Sequence, residues 1–437
     1  MNAADATGVP WFTVGPFALL LVALPVVLLG ETLNRRFARL QRFHVPPAIL
    51  GGLLVAFALL AIGVARPGLI RLTAETANVA WLWTVLPQWD FSAPRAAGVE
   101  RPLLILFFTC MGLNASWTLA RKGGRPLLVF FAAASLISVL QGALGAVLAR
   151  ALGENPLLGV LAGTTSLMGG FGTVAGFAPE FMKAGLAGAP VIGVAAAAYG
   201  VIAGGVLAGV VGGRLLQRCA GEKPAATGAV EGALSNASYV GLLGTFTALR
   251  GMGAKVLLHL ALLLACMKAG AFLSAFLQAR GLTFPVYMGA LLVAAIVRNV
   301  HDAFGGGRLR TECTDAIGTV ALAWLLAIVM INLQLAQLAQ AALPLIVILV
   351  AQTVLTTALA GWVVFRLMGR DHEAAVMTAG LVGFGLGATS NALASMRELT
   401  AQHGPAPRAF LIVPIVGAFL IDFTNALVTT AALNLLR

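Results

Sequence analysis

The stretch "GVLAGTTSLMGGFGTVAG" (residues 159–176) sets six glycines, with Thr and Ser among them, into an apolar chain. A second run, "GLVGFGLGATSNALASM" (380–396), does the same far downstream. Glycine is about 1 kcal/mol less favourable than alanine inside a helix. Two such runs in one chain therefore mark places where helices are interrupted.

The rest of the chain says what kind of helices these are. Of 437 residues, 59% are hydrophobic and only 10% charged, with a mean hydropathy of +0.94. Apolar runs of about 20 residues, each long enough to cross a bilayer, recur near 14–33, 45–65, 102–119, 126–149, 186–213, 255–279, 284–300, 316–338, 342–366 and 409–436. Ten spans and no separate polar domain define an all-α polytopic membrane protein. The opening "MNAADATGVPW" lacks the basic start of a secretory leader, so the first run is expected to be retained. Cys110, Cys219, Cys266 and Cys313 show no C-x-x-C spacing and read as small buried hydrophobes.

The net charge of +12 reads as a topology signal rather than as nucleic-acid binding. With the N-terminus outside, the connections on the inner side hold most of the 28 basic residues, among them Arg35, Arg36, Arg121, Lys122, Arg214, Arg308, Arg370 and Arg397. The positive-inside rule then places both termini outside.

The chain also resembles itself. "HVPPAILGGLLVA" (44–56) matches "TFPVYMGALLVA" (283–294), pairing Pro47 with Pro285 and Gly51 with Gly289. Further on, Asn114 pairs with Asn332, Pro126 with Pro344, Arg150 with Arg366 and Gly153 with Gly369. This ordered series predicts an N-terminal repeat (1–218), a cytoplasmic linker (219–250) and a C-terminal repeat (251–437). Each repeat has five spans and one broken segment, about 155–183 and 372–400. An odd number of spans inverts the second repeat, so the two hairpins would dip in from opposite faces. Inverted repeats with broken helices meeting near the midplane are the pattern of secondary transporters. Backbone unwound at that depth survives only where it is buried or lines a polar cavity. Its freed N–H groups suit an anion and its freed carbonyls a small cation.

At these residues the chain resembles the bacterial sodium/glutamate symporter family. The match is carried by "HVPPAILGGLLVAFALL", "GLNAS", "GVLAGTTSLMGGFGT", "GRDHEAAVMTAGLVGFGLGATSNALASM" and "RAFLIVPIVGAFLIDFTNALV". The resemblance implies sodium-driven uptake of L-glutamate across the bacterial cytoplasmic membrane, ten spans with two re-entrant hairpins, a homodimer and an elevator movement. It implies no cofactor beyond sodium as coupling ion. The chain departs from the family pattern S-G-G-H-G-T at Met168 and Phe171, and from P-T at Ser390 and Asn391.

Asp422 is the most informative single residue. It lies inside the last span with Asn425 one turn on, on the same face. A carboxylate at membrane depth normally faces a polar interior; it would bind sodium or a substrate ammonium. Thr164, Thr165, Ser166, Gly169, Gly170, Gly172 and Thr173 of the first hairpin are candidate substrate contacts. So are Gly385, Gly387, Thr389, Ser390 and Asn391 of the second, with Asp422 and Asn425. Asp422, Thr389 and Asn425 are candidate sodium ligands. Capping of half-helices is the alternative for the hydroxyl residues. Asn114 and Asn332 are expected to brace re-entrant backbone. Lys268, inside a span, could pair with a substrate anion; more often such a lysine snorkels to an interface or lines a protein contact. Trp81, Trp83 and Trp89 read as interfacial aromatics.

Several function classes are disfavoured. No G-x-x-x-x-G-K-[ST] loop supports ATP-driven transport. An intramembrane hydrolase would need a zinc motif, paired aspartates or an activated serine. A passive channel fits two facing hairpins less well than alternating access. Another carboxylate cargo, driven by sodium or protons, remains the alternative to glutamate.

Overall fold

A computed structural model describes residues 12–37, 46–66, 69–89, 96–219, 242–280, 286–304, 309, 311–332 and 342–436. The core of the expected linker, 220–241, lies outside them, as does Pro285.

Proline starts many of the helices, because its missing N–H costs nothing in a first turn and its fixed φ suits that position. Helix α1 (Pro16–Arg36) and α2 (Pro47–Ala65) pack as a pair. Then come α3 (Arg101–Leu113), α4 (Gly124–Ala151), α5 (Pro156–Thr165), α6 (Gly170–Lys183) and α7 (Ala189–Arg218). The second half holds α8 (Leu242–Met252), α9 (Ala254–Ala279), α10 (Val286–Ala303), α11 (Thr311–Ile331) and α12 (Ala342–Leu367). It ends with α13 (His372–Leu386), α14 (Thr389–His403) and α15 (407–435). Two short strand pairs, Phe12–Val14 with Ile70–Leu72 and Glu75–Thr76 with Ala97–Gly98, tie down the long connection after α2.

Among the described residues, eight helices are long and apolar enough to span a bilayer. Two of the ten expected spans differ. The 102–119 run is not one helix: α3 stops at Leu113 after 13 residues, about 20 Å, short of the roughly 30 Å hydrocarbon core. Asn114 ends it by turning to α11, where its Nδ2 donates to Asp315 Oδ1 at 2.5 Å and its Oδ1 accepts from Thr314 Oγ1 at 2.7 Å. The 409–436 run carries a π-helical turn, Val416–Leu420, soon after Pro414.

Each expected hairpin interval holds two short helices and a break. Asn155 caps α5 by accepting from Leu157 N at 2.9 Å, with Pro156 next. Asp371 caps α13 by accepting from Ala374 N at 2.7 Å. Helix α5 loosens into a π turn at Leu161–Thr165, where Gly163 has ψ −119°, and the chain re-enters a helix at Gly170. The second break lies at Gly387, which leaves the helix with φ −137° and ψ −97°, and at Ala388, which is extended.

The helices sort into two groups by what they pack against. Helices α1, α2, α3, α9, α10 and α11 form one; α4–α7 and α12–α15 form the other. Both halves of the chain contribute to each group. The groups meet along α6, which lies on α3 and α11. Phe171 joins the apolar cluster of α1, α2 and α11, and a side chain at Gly172 or Gly176 would strike the rings of Phe107 (2.7 Å) or Tyr287 (2.9 Å).

Candidate functional site

The two breaks face each other. Gly170 has φ +65°, a left-handed value that only glycine adopts without strain. A Cβ there would sit 3.6 Å from the carbonyl oxygen of Gly387. Met168 reaches across the same junction, its terminal methyl 3.6 Å from the Cβ position of Gly385. Two interrupted helices thus bring their breaks to one place inside the second helix group.

Helix α15 braces both breaks. Thr164 Oγ1 donates to Asn425 Oδ1 at 2.7 Å, and Thr165 and Thr429 share a hydroxyl contact of 3.0 Å. Gly169 lies so close to Asn425 that a Cβ would approach its Nδ2 to 2.1 Å. On the other break, Thr389 Oγ1 donates to Gly417 O at 2.7 Å. Helix α7 braces the second break from behind: Asn391 Nδ2 donates to Val201 O at 2.5 Å, and a Cβ at Gly200 would meet Leu386 O at 2.0 Å.

The expected site residues therefore divide. Thr164, Thr165, Gly169 and Asn425 converge, as do Gly170, Gly385 and Gly387. Ser166 turns back on its own helix, donating to Leu161 O at 2.5 Å. Gly172 faces Phe107 on α3, and the buried Thr173 packs against Gly169. The side chain of Ser390 lies outside the described residues. Asp422 is half-buried and makes no hydrogen bond or ion pair among the described residues. Tyr287 is a buried phenol whose hydroxyl is also unpartnered among those residues.

Sequence reasoning passed over a polar stripe on α4. Ser135 Oγ lies 3.4 Å from Thr424 Oγ1 on α15, Ser138 2.7 Å from Thr164, and Gln141 Nε2 donates to Thr356 Oγ1 at 2.7 Å and Gly385 O at 2.8 Å. These residues are spaced three apart and share a helix face. One side chain after another thus joins α4 to α15, the first break and the second. Gln352 on α12 donates to Gln141 O at 2.6 Å. The readable signal was a glutamine inside each of two apolar runs, since a fully buried amide must be hydrogen-bonded.

Three other expectations resolve into structural roles. Asn114 braces α11, and Asn332 bonds within its own helix to Ile328 O at 2.9 Å; neither bonds a hairpin among the described residues. Lys268 is buried and donates to the carbonyls of Trp83 (2.7 Å), Leu86 (3.0 Å) and Gln88. Its ammonium lies 4.1 Å from the Trp83 ring centroid, with Trp89 and Phe272 beside it. Trp83 and Trp89 thus enclose the chain's own lysine, which holds the 79–89 segment to α9. Of the cysteines, three are buried; Cys219 is half-buried and contacts Arg370 O.

Apolar helices of spanning length around a buried polar junction define an integral membrane protein of the polytopic α-helical class. The sequence profile of sodium/glutamate symporters matches residues 12–405. The chain is 33% identical over 433 residues to the sodium/glutamate symporter of Haemophilus influenzae, covering 97% of this chain and 99% of that protein. It is likewise 33% identical over 418 residues to that of Escherichia coli, covering 95% and 97%. The chain belongs to the sodium/glutamate symporter family, and so is a transporter rather than an enzyme.

Proposed function

We propose that this chain imports L-glutamate across the bacterial cytoplasmic membrane, driven by sodium moving inward. Two inverted repeats carry re-entrant hairpins from opposite faces, both termini are external, and the protein works as a homodimer in lipid. The carrying observation is the apposition of Gly170 and Gly387, where two half-helix breaks meet amid Thr164, Asn425 and Gln141. Freed N–H groups there receive the substrate carboxylates; hydroxyl and carbonyl oxygens receive cations. Asp422 binds sodium or the substrate ammonium, Thr389 and Asn425 add oxygens, and Thr164, Thr165, Ser166, Gly169, Gly172, Thr173, Gly385, Ser390 and Asn391 line or shape the site.

The division into two helix groups supports an elevator. The group holding both breaks moves as a body, sliding with α6 along α3, α10 and α11, while the other group holds still. Each cycle must carry net positive charge inward, since the membrane potential supplies about 2.3 kcal/mol per charge per 100 mV. The relatives' names favour glutamate over the other-carboxylate alternative.

The test is uptake of labelled L-glutamate into proteoliposomes under an imposed sodium gradient. Wild type accumulates it, with loss when sodium is replaced by choline, and Asp422→Asn nearly abolishes it. Full accumulation by the variant removes Asp422 from coupling; absence of any sodium-dependent uptake by wild type overturns the function.

A further inference from the structure

The helices around the two breaks leave several buried side-chain atoms without a partner among the described residues: Gln141 Oε1, Gln352 Oε1, Asn391 Oδ1 and Asn425 Nδ2. Three are acceptors and one is a donor. A buried acceptor left unpaired is costly, so this excess of acceptors suits a donor or a cation.

Among these atoms Gln141 Oε1 has the best-defined setting. Both hydrogens of its amide are used, one on Thr356 Oγ1 and one on Gly385 O. Gly385 O can only accept, which fixes which end of the amide is nitrogen. The oxygen therefore points away from both partners. Gln141 is fully buried and sits one turn beyond Ser138, whose hydroxyl holds Thr164 and through it Asn425. The amide stands between the first break and the second. Gln352 is a poorer candidate, because its nitrogen is wedged where a Cβ at Gly145 or Gly163 would come within 3.0 and 2.8 Å. Asn391 faces away toward α7.

We propose that Gln141 is a ligand of the coupling cation, presenting Oε1 while its nitrogen holds the freed carbonyl of Gly385 in the second break. Hard monovalent cations take neutral carbonyl and hydroxyl oxygens, and Thr356 Oγ1 lies on the same amide. Binding the cation at Gln141 fixes both breaks at once, which makes substrate binding depend on sodium. This assignment rests on the sodium-coupled function proposed above.

The experiment compares wild type with Gln141→Leu and Gln141→Glu in proteoliposomes, titrating sodium at saturating glutamate. It also measures the sodium-induced rise in Tm of the purified, detergent-solubilised protein without glutamate. Gln141→Leu should raise the half-saturating sodium concentration at least tenfold and remove the sodium-induced rise in Tm. Gln141→Glu keeps volume and oxygens, so its half-saturating sodium should fall as pH rises from 5 to 8 and the new carboxyl ionises. If the leucine variant yields no folded protein, the glutamate variant alone decides, and a sodium titration no more pH-dependent than that of wild type, which carries the Asp422 carboxyl, overturns the assignment. Wild-type sodium half-saturation in a folded Gln141→Leu protein overturns it too. Neither result touches the proposed function, which fails only if wild type itself shows no sodium-driven uptake.

Discussion

Thr164 Oγ1 donates its single proton to Asn425 Oδ1 at 2.7 Å, so the 2.7 Å contact with Ser138 must be a bond that Ser138 donates. That directed chain, from α4 through the first break to α15, is wholly buried. Thr164→Val keeps the shape and leaves Ser138 and Asn425 unpaired. The expected cost is about 1–3 kcal/mol, read as a lower midpoint of thermal unfolding in detergent, with a matching fall in sodium-driven uptake. Thr164→Ser keeps the hydroxyl and should stay within about 1 kcal/mol of wild type. Equal unfolding midpoints for valine and wild type would show that the chain of bonds carries no weight.

Close backbone approach makes a second contrast along one helix. On α7, a Cβ at Gly200 would land 2.0 Å from Leu386 O, whereas one at Gly209 would meet nothing within 4 Å. Neither helix can yield by that much without moving the second break. Gly200→Ala should destabilise by at least about 2 kcal/mol and lower uptake with it. Gly209→Ala should be neutral or stabilise by up to about 1 kcal/mol, through helix propensity alone. Urea or thermal unfolding of the two variants side by side decides this.

Lys268 gives the opposite kind of expectation, a large effect on stability and none on coupling. Its ammonium ties three carbonyls of the 83–88 turn to α9 beneath the Trp83 ring. Lys268→Met strands those carbonyls and should cost at least about 2 kcal/mol. Half-saturating sodium and glutamate should stay within about twofold of wild type in whatever protein folds. A shift well beyond that, at unchanged stability, would move Lys268 from architecture into the transport cycle.

The parts legible in the sequence were those set by periodicity and by backbone chemistry. Twenty-residue apolar runs became helices, and glycine clusters became breaks, because both follow from local rules. The end of α3 at Asn114 was not legible: its 102–119 run is apolar enough to continue, and the stop depends on Asp315 and Thr314, some two hundred residues away. The same limit explains Gln141 and Gln352. Each looks like an isolated polar residue in a greasy run, and only the fold shows that one bonds the other's backbone across 211 positions. The sequence allowed Lys268 a protein contact, but its partners were not legible, since they come from a distant loop. Charge and glycine mark a candidate site; which side chains close around it depends on contacts between distant parts of the chain.

The proposed inverted arrangement makes the last prediction. Lys183 ends α6 and Gln402 lies near the end of α14, and both side chains are exposed. The second hairpin is flanked by Arg370, Arg397 and Arg408, which the positive-inside rule assigns to the cytoplasm; the first carries Glu154, Glu180 and Lys183 and is assigned outside. In a background with Cys110, Cys219, Cys266 and Cys313 replaced, Lys183→Cys should react with a membrane-impermeant maleimide in spheroplasts, and Gln402→Cys only in inside-out vesicles. The reason is energetic. Each half-helix of 10–15 residues reaches only about 15–22 Å, so a hairpin must return to the face it left. Hairpins entering from opposite faces can then bring their breaks together near the midplane of a core about 30 Å thick. Labelling of both cysteines from one face would overturn the inverted arrangement, and the transport cycle proposed on it would fail.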